Sequence, residues 1–123
     1  MSSMPKTGTR AWFAILAAHD IADSLRRLRL PCAARLASAT ATPQDWDDIG
    51  TELAALAVDE LREHERRAAR DAVRHMARGE PVGAATMLSR LRGVATLTEW
   101  ADEVTEAMRV ARTEAFVAAT GGV

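Results

Sequence analysis

Apolar residues recur at intervals of three and four positions along most of this chain, and proline or glycine interrupts the pattern at a few points. That period is typical of one face of an α-helix, whereas a half-buried strand would alternate strictly. The first stripe runs from Trp12 to Leu28 and ends before Pro31, which lacks a backbone donor and disfavours a continuing helix. The sequence therefore predicts an all-α fold whose first helix covers residues 9–30.

The clearest helix start is the segment Thr42–Pro43–Gln44–Asp45. Threonine suits the N-cap, proline the first helical position, and aspartate the positive end of the helix dipole. From there we predict one long helix of about 35 residues, which ends near Arg78 because Gly79 and Pro81 follow. Its apolar stripe shifts around the helix toward Leu61, so we expect this helix to bend midway.

Two shorter patterns follow the long helix. Residues 82–92 form one predicted helix, and Gly93 is expected to end it. The segment Thr96–Leu97–Thr98–Glu99 has the pattern of a capping box and starts a last helix, which extends to about Ala119.

A chain of 123 residues has the length of one domain. We assign residues 9–123 to a single compact bundle of about four helices with one long central helix. Residues 1–8 lack periodicity and are predicted to be a flexible N-terminal arm. Many of the hydrophobic residues are alanine, which favours helix but buries little apolar area. This thin core favours a homo-oligomer or a subunit of a larger complex.

Several features of the sequence favour a protein that works in the reducing environment inside a cell. Cys32 is the single cysteine, so neither an internal disulfide nor a cysteine-based zinc site is expected. The apolar run over residues 11–18 is followed directly by His19 and Asp20 without a small-residue cleavage site, so we interpret it as part of the first helix. No stretch has membrane-spanning length. We expect a cytoplasmic protein with no cofactor, no metal and no membrane partner.

Basic residues are concentrated in the predicted long helix, where four arginines lie at four-residue spacing. We call them the arginine ladder: Arg66, Arg70, Arg74 and Arg78. At this spacing they line one side of a helix over about 18 Å, and like charges so placed destabilise the helix. The ladder therefore predicts an anionic partner, either a nucleic-acid backbone or an acidic protein surface. Two flanking arginines are included among the predicted binding residues: Arg62 and Arg67.

An acidic stripe on the last predicted helix offers another way to neutralise the ladder. The formal net charge of the chain is −1, so the basic segment is balanced elsewhere. The stripe consists of Glu99, Asp102, Glu103 and Glu106. These carboxylates could pair with the ladder inside the fold or between two copies. In the second case the chain would be a protein-only helical dimer, such as an antitoxin, immunity or inhibitor protein.

The ladder also contains an arginine and a histidine with four residues between them, in Arg70–Asp71–Ala72–Val73–Arg74–His75. With its polar residue after the first arginine, this segment resembles the motif of the HEPN superfamily, all-α proteins of similar size of which many are metal-independent RNases. The resemblance covers these six residues. It implies that Arg70 and His75 act on the RNA 2′-hydroxyl and the scissile phosphate, usually across a dimer interface.

The remaining sequence favours a protein that binds rather than catalyses. It contains no glycine-rich phosphate loop and no metal-ligating motif. The leading hypothesis is a non-enzymatic binding or accessory protein that docks on a nucleoprotein or protein partner through its arginine-rich helix face. The abundance of arginine and alanine is typical of a bacterial or phage protein from a high-GC genome. In size and helicity the chain is broadly similar to the small subunits of CRISPR effector complexes.

Overall fold

The computed structural model of the chain describes residues 4–36 and 41–121, and the predicted N-terminal arm lies partly outside these ranges. The described residues form helices and no strand, which confirms the predicted all-α class. None of the described helices is both long and apolar enough to cross a membrane. In chain order the elements are α1 (Arg10–Arg27), a 3₁₀ helix (Pro31–Leu36), α2 (Pro43–Ala55), α3 (Glu60–Ala77), α4 (Pro81–Arg92) and α5 (Leu97–Ala119). The predicted bundle of about four helices is thus matched only roughly.

The prediction of one long central helix is wrong, because residues 56–59 separate α2 from α3. Leu56 leaves α2 in an extended conformation, and the Asp59 side chain then caps α3 by accepting a hydrogen bond from the backbone N–H of Arg62. The break lets α3 fold back and pack against α2. An unbroken helix of this length would carry half of its apolar stripe away from the core. Leu61, which the sequence placed on that stripe, is 92% exposed at the start of α3.

Threonine side chains start three of the helices. Thr9, Thr42 and Thr96 each accept a hydrogen bond from the backbone N–H three residues later. At Thr42 the carboxylate of Asp45 also accepts a bond from the threonine backbone N–H at 2.9 Å, which completes a capping box. Gly93 ends α4 in the left-handed conformation, with φ of 73°, as the sequence predicted.

The core forms where the other helices surround the small apolar face of α3. Besides packing on α2, α3 packs against α4 and α1, while α5 packs against α1 and α4. The buried face of α3 contains only Ala69, Ala72 and Val73, so its neighbours can approach closely. The larger fully buried side chains come from the other helices: Leu16, Ile21, Leu25, Ile49, Leu53, Leu88, Trp100 and Val104. As a result, α3 is flanked by helices along both sides.

A buried aspartate joins three of these helices. Asp20 of α1 is 2% exposed and accepts hydrogen bonds from the Arg92 guanidinium of α4, the shortest at 2.6 Å. The indole Nε1 of Trp100, on α5, donates to the other carboxylate oxygen of Asp20 at 2.8 Å. The hydrogen bonds to this carboxylate raise the pKa of Arg92. The cluster therefore satisfies a charge that would be very unfavourable if it were buried alone.

The second half of α5 extends beyond the core. Residues 97–108 contribute Trp100, Ala101 and Val104 to the buried interior, whereas every residue from 109 to 119 is exposed. The exposed half includes Phe116, which is 69% exposed. Among the described residues, this part of the helix is held by hydrogen bonds within α5, such as that from Arg109 to Glu106, and by its continuity with the packed half.

We expect the thiol of Cys32 to react slowly in the folded protein. Burial of the thiol in the 3₁₀ helix, followed by a hydrogen bond and charge repulsion from Glu52, raises the pKa of Cys32 to about 12. Since the thiolate is the reactive form, a thiol reagent at pH 8 should modify native Cys32 far more slowly than the denatured chain. The variant C32A/A115C, whose cysteine lies on the exposed half of α5, is the control. Equal rates in the two folded proteins would contradict the prediction.

Candidate anion-binding groove

The structure separates Arg66 from the rest of the ladder. Its guanidinium donates to both carboxylate oxygens of Glu63, at 2.8 and 2.6 Å, and to the carbonyl of Leu53 at 3.2 Å. That carbonyl lies in the last turn of α2 and also accepts a hydrogen bond from the backbone N–H of Leu56 at 3.3 Å. The side chain of Arg66 is only 14% exposed. Arg66 therefore links the start of α3 to the end of α2 and is already neutralised.

The Glu63–Arg66 pair predicts an acid-dependent loss of stability. Hydrogen bonds from Arg66 and then Arg67 lower the pKa of Glu63 to about 2, from an ordinary value of 4.5. Because the folded-state pKa is the lower one, the stabilisation is present above pH 4.5 and is lost as the pH falls toward 2. In urea unfolding, Glu63→Gln should thus be less stable than the parent at pH 6, and the difference should shrink toward pH 2. The same pH dependence in Glu114→Gln, on the exposed half of α5, would contradict this assignment.

The other three ladder arginines line an open groove between α2 and α3, with a volume of about 450 Å³. We call it the arginine groove. Its α3 wall consists of Arg70, Val73, Arg74, Ala77 and Arg78, and its α2 wall of Trp46, Asp47, Gly50, Thr51 and Ala54. The groove exists because α3 folds back along α2, so that the first turns of α2 lie beside the last turns of α3.

Within the described residues, these three arginines are not paired with a carboxylate. Arg70 is half-buried, whereas Arg74 and Arg78 are exposed. Across residues 4–36 and 41–121, no carboxylate lies within 4 Å of their guanidinium groups, and their side chains have no hydrogen-bond partner. Among the described residues, Asp47 is the only acidic one that lines the groove. Three arginines and one aspartate give the groove a formal lining charge of +2.

The acidic stripe of α5 does not supply the missing charge within one chain. Glu99 accepts a hydrogen bond from the backbone N–H of Ala95, at the start of its own helix. Glu103 lies 3.6 Å from Arg92, and Glu106 pairs with Arg109 one turn further along α5. Asp102 is exposed and has no polar partner in the described part of the chain. Internal pairing between this stripe and the ladder is therefore absent from the described structure.

The α2 wall of the groove is small and mostly uncharged. Gly50 leaves room beside Val73, since a Cβ added at Gly50 would lie 3.6 Å from the nearest Val73 methyl. Trp46 is 5% exposed, so its ring contributes to the core and offers no open face for stacking. Because α2 and α3 run in opposite directions, their dipoles offset each other along the groove. Side-chain charge therefore determines what the groove attracts.

The two flanking arginines lie outside the groove. Arg62 is exposed in the first turn of α3. Arg67 pairs with Glu63 at 2.9 Å and lines a smaller cavity of about 210 Å³ between α3 and α4. That cavity also includes His64, Asp71 and Arg90, so both signs of charge are present. The structure thus divides the predicted set into the groove arginines, the paired Arg66 and these two outlying residues.

Arg70 and His75 lie on different sides of α3 within one chain. Five residues correspond to about 140° around a helix. Arg70 faces α2 in the arginine groove, whereas the His75 ring lies 3.1 Å from the carboxylate of Glu80 and packs over Gly83 of α4. The ring fits because position 83 has no side chain: a Cβ there would lie 2.5 Å from His75 Nδ1. The chain alone therefore does not bring these two residues to one phosphate.

Our sequence-based predictions missed the α2 wall and the Asp20 cluster. The wall depends on the break at residues 56–59, and the signal for that break is Asp59, a favourable N-cap within an otherwise continuous pattern. Among the described residues, no group of three histidine, cysteine, aspartate or glutamate side chains is placed to hold a metal ion.

Comparison with known proteins leaves the groove as the main guide to function. No protein-family model matches the chain, and no significantly similar curated protein or solved structure is found.

Proposed function

We propose that this chain is a non-enzymatic binding or accessory protein that docks on an anionic partner through the arginine groove. The observation that carries the proposal is a row of three guanidinium groups along one wall of a groove, from Arg70, Arg74 and Arg78, which no other described residue pairs. Of the five other arginines on α3 and α4, three are paired with a carboxylate: Arg66 and Arg67 with Glu63, and Arg92 with Asp20.

The energetic argument concerns charge repulsion. Arginines at four-residue spacing destabilise an isolated helix by a few tenths of a kcal/mol per pair. The fold relieves that repulsion at Arg66 with Glu63, but the described residues provide no such carboxylate for Arg70, Arg74 and Arg78. A bound polyanion would remove the repulsion and gain charge-assisted hydrogen bonds, for which guanidinium groups are well shaped.

The test is retention on an immobilised phosphate polymer, such as phosphocellulose, as salt is raised. The variant Arg70→Glu/Arg74→Glu should elute at clearly lower salt than the parent, because two of the three groove cations are reversed. The matched control is Arg29→Glu/Arg112→Glu, which changes the net charge equally at two exposed sites outside the groove.

The control variant distinguishes binding at the arginine groove from a general effect of net charge on retention. If both double variants elute together while circular dichroism shows each is folded, retention follows net charge and the proposal fails. A parent protein that is not retained but sediments as a salt-sensitive dimer would also overturn it, in favour of the protein-only dimer.

A further inference from the structure

We infer that the partner of the arginine groove is a single nucleic-acid strand, held through three consecutive backbone phosphates without base recognition. This inference rests on the proposed function and specifies its ligand. Four separate properties of the groove support it: the spacing of the cations, their graded depth, the position of α3 between two helices, and the burial of the nearest aromatic ring.

The spacing of the cations matches a strand. Arg70, Arg74 and Arg78 follow one another at about 6 Å along the α3 axis. This step is comparable to the separation of successive phosphates along one strand, so each guanidinium can meet one phosphate. The cations also turn by about 40° per step, because four residues exceed one helical turn. They therefore follow a shallow spiral, which a flexible strand can track.

The depth of the cations changes along the groove. Arg70 is half-buried between the helices, whereas Arg74 and Arg78 are exposed toward the open end. A ligand that contacts all three must therefore descend into the groove at Arg70. A single strand can bend to do so, while the phosphates of a duplex lie on the outside of a stiff rod.

The packing of α3 argues further against a duplex. A helix that reads the major groove must project from the protein so that it can enter the groove. Here α3 lies between α2 and α4 and contributes Ala69, Ala72 and Val73 to the core. It can present one row of side chains but cannot enter a duplex groove.

The α2 wall gives no means of selecting bases. In the part of the chain that the structure describes, Trp46 is the only aromatic residue that lines the groove, and its 5% exposure leaves no ring face for a base to stack on. Asp47 repels phosphate and so favours a strand whose phosphates lie toward α3 and whose sugars and bases lie toward α2. Recognition should therefore depend on the backbone and tolerate any sequence.

The experiment is fluorescence anisotropy with labelled single strands of about 12 nucleotides, in oligothymidylate and oligouridylate forms, over a series of salt concentrations. Both single strands should bind, and the logarithm of the association constant should fall with the logarithm of salt with a slope of about −2, as expected for three phosphates. Arg74→Gln should weaken binding and reduce the slope by about 0.7, since one phosphate contact is lost. The variant Arg29→Gln is the matched control and should leave the slope unchanged.

Binding of two further ligands, a duplex of the same length and a polyglutamate of similar charge, tests the single-strand inference separately from the proposed function. We expect both to bind about ten-fold or more weakly than the single strands at equal salt. Duplex or polyglutamate binding as tight as that of the strands, lost in Arg70→Glu/Arg74→Glu, would overturn the single-strand inference while docking through the groove stands. If none of the four polyanions binds, even at low salt, both the inference and the proposed function fail.

Discussion

Replacing Asp20 with alanine is expected to lower the free energy of unfolding by about 3 kcal/mol or more, because it removes the hydrogen-bonded carboxylate from the partly buried charge of Arg92 and leaves Glu103 at 3.6 Å. It also leaves the buried indole N–H of Trp100 without an acceptor, which adds a desolvation penalty. Urea unfolding, followed by far-ultraviolet circular dichroism, measures the change directly.

The control residue is Asp23, three positions after Asp20 on the same helix. Asp23 is paired with Arg26 at 2.6 Å near the surface, so Asp23→Ala should lower stability by less than about 1 kcal/mol. Because Asp20 and Arg92 act as a unit, the double variant Asp20→Ala/Arg92→Ala should lose less stability than the two single variants added together. Strictly additive losses, or equal losses in Asp20→Ala and Asp23→Ala, would show that the buried pair is not what holds these helices.

Trp100→Ala is expected to lower the free energy of unfolding by about 3–5 kcal/mol, since it removes the largest fully buried side chain. The ring of Trp100 stacks on Phe13 of α1, with centroids 6.4 Å apart, and its Nε1 donates to Asp20. Trp100→Phe keeps most of the packing but loses the donor, so it should lower stability by about 1–2 kcal/mol.

The difference between these two Trp100 variants separates packing from hydrogen bonding in the same urea experiment. Trp12 provides the control, because its ring contacts Phe13 from a half-buried position and donates no side-chain hydrogen bond among the described residues. Trp12→Ala should therefore lower stability less than Trp100→Ala. Equal effects of phenylalanine and alanine at position 100 would mean that the bond to Asp20 dominates, contrary to the packing argument.

Much of the fold was predictable because short-range signals determine where helices begin and end. Thr42, Thr96 and Gly93 act through their own side chains or backbone freedom within a few residues, and they cap or end helices where the sequence indicates. The break before Asp59 was not predicted, because Leu56 and Ala57 fit a helix well locally. Folding α3 back on α2 gains core packing that no local pattern reveals.

Only the α3 wall of the candidate site was predictable from the sequence. Four-residue spacing places the ladder arginines on one side of a helix whatever the fold. Arg66 is paired by Glu63, three residues earlier on the same helix, whereas its bond to the carbonyl of Leu53 depends on the tertiary fold. Asp20 shows the same limit: it lies at helical spacing from Leu16, within the buried arc of α1, but its partners Arg92 and Trp100 are more than 70 residues away in the chain.

The two halves of α5 illustrate how a helix can extend past the core that holds it. Starting a helix is costly, because several residues must be ordered before the first hydrogen bond forms. In α5 the packed turns around Trp100 and Val104 act as that nucleus, so residues 109–119 need only propagate from it. Their amide protons should then exchange progressively faster toward Ala119. A molecule that binds there would meet a surface that is already helical, and little ordering entropy would oppose its binding.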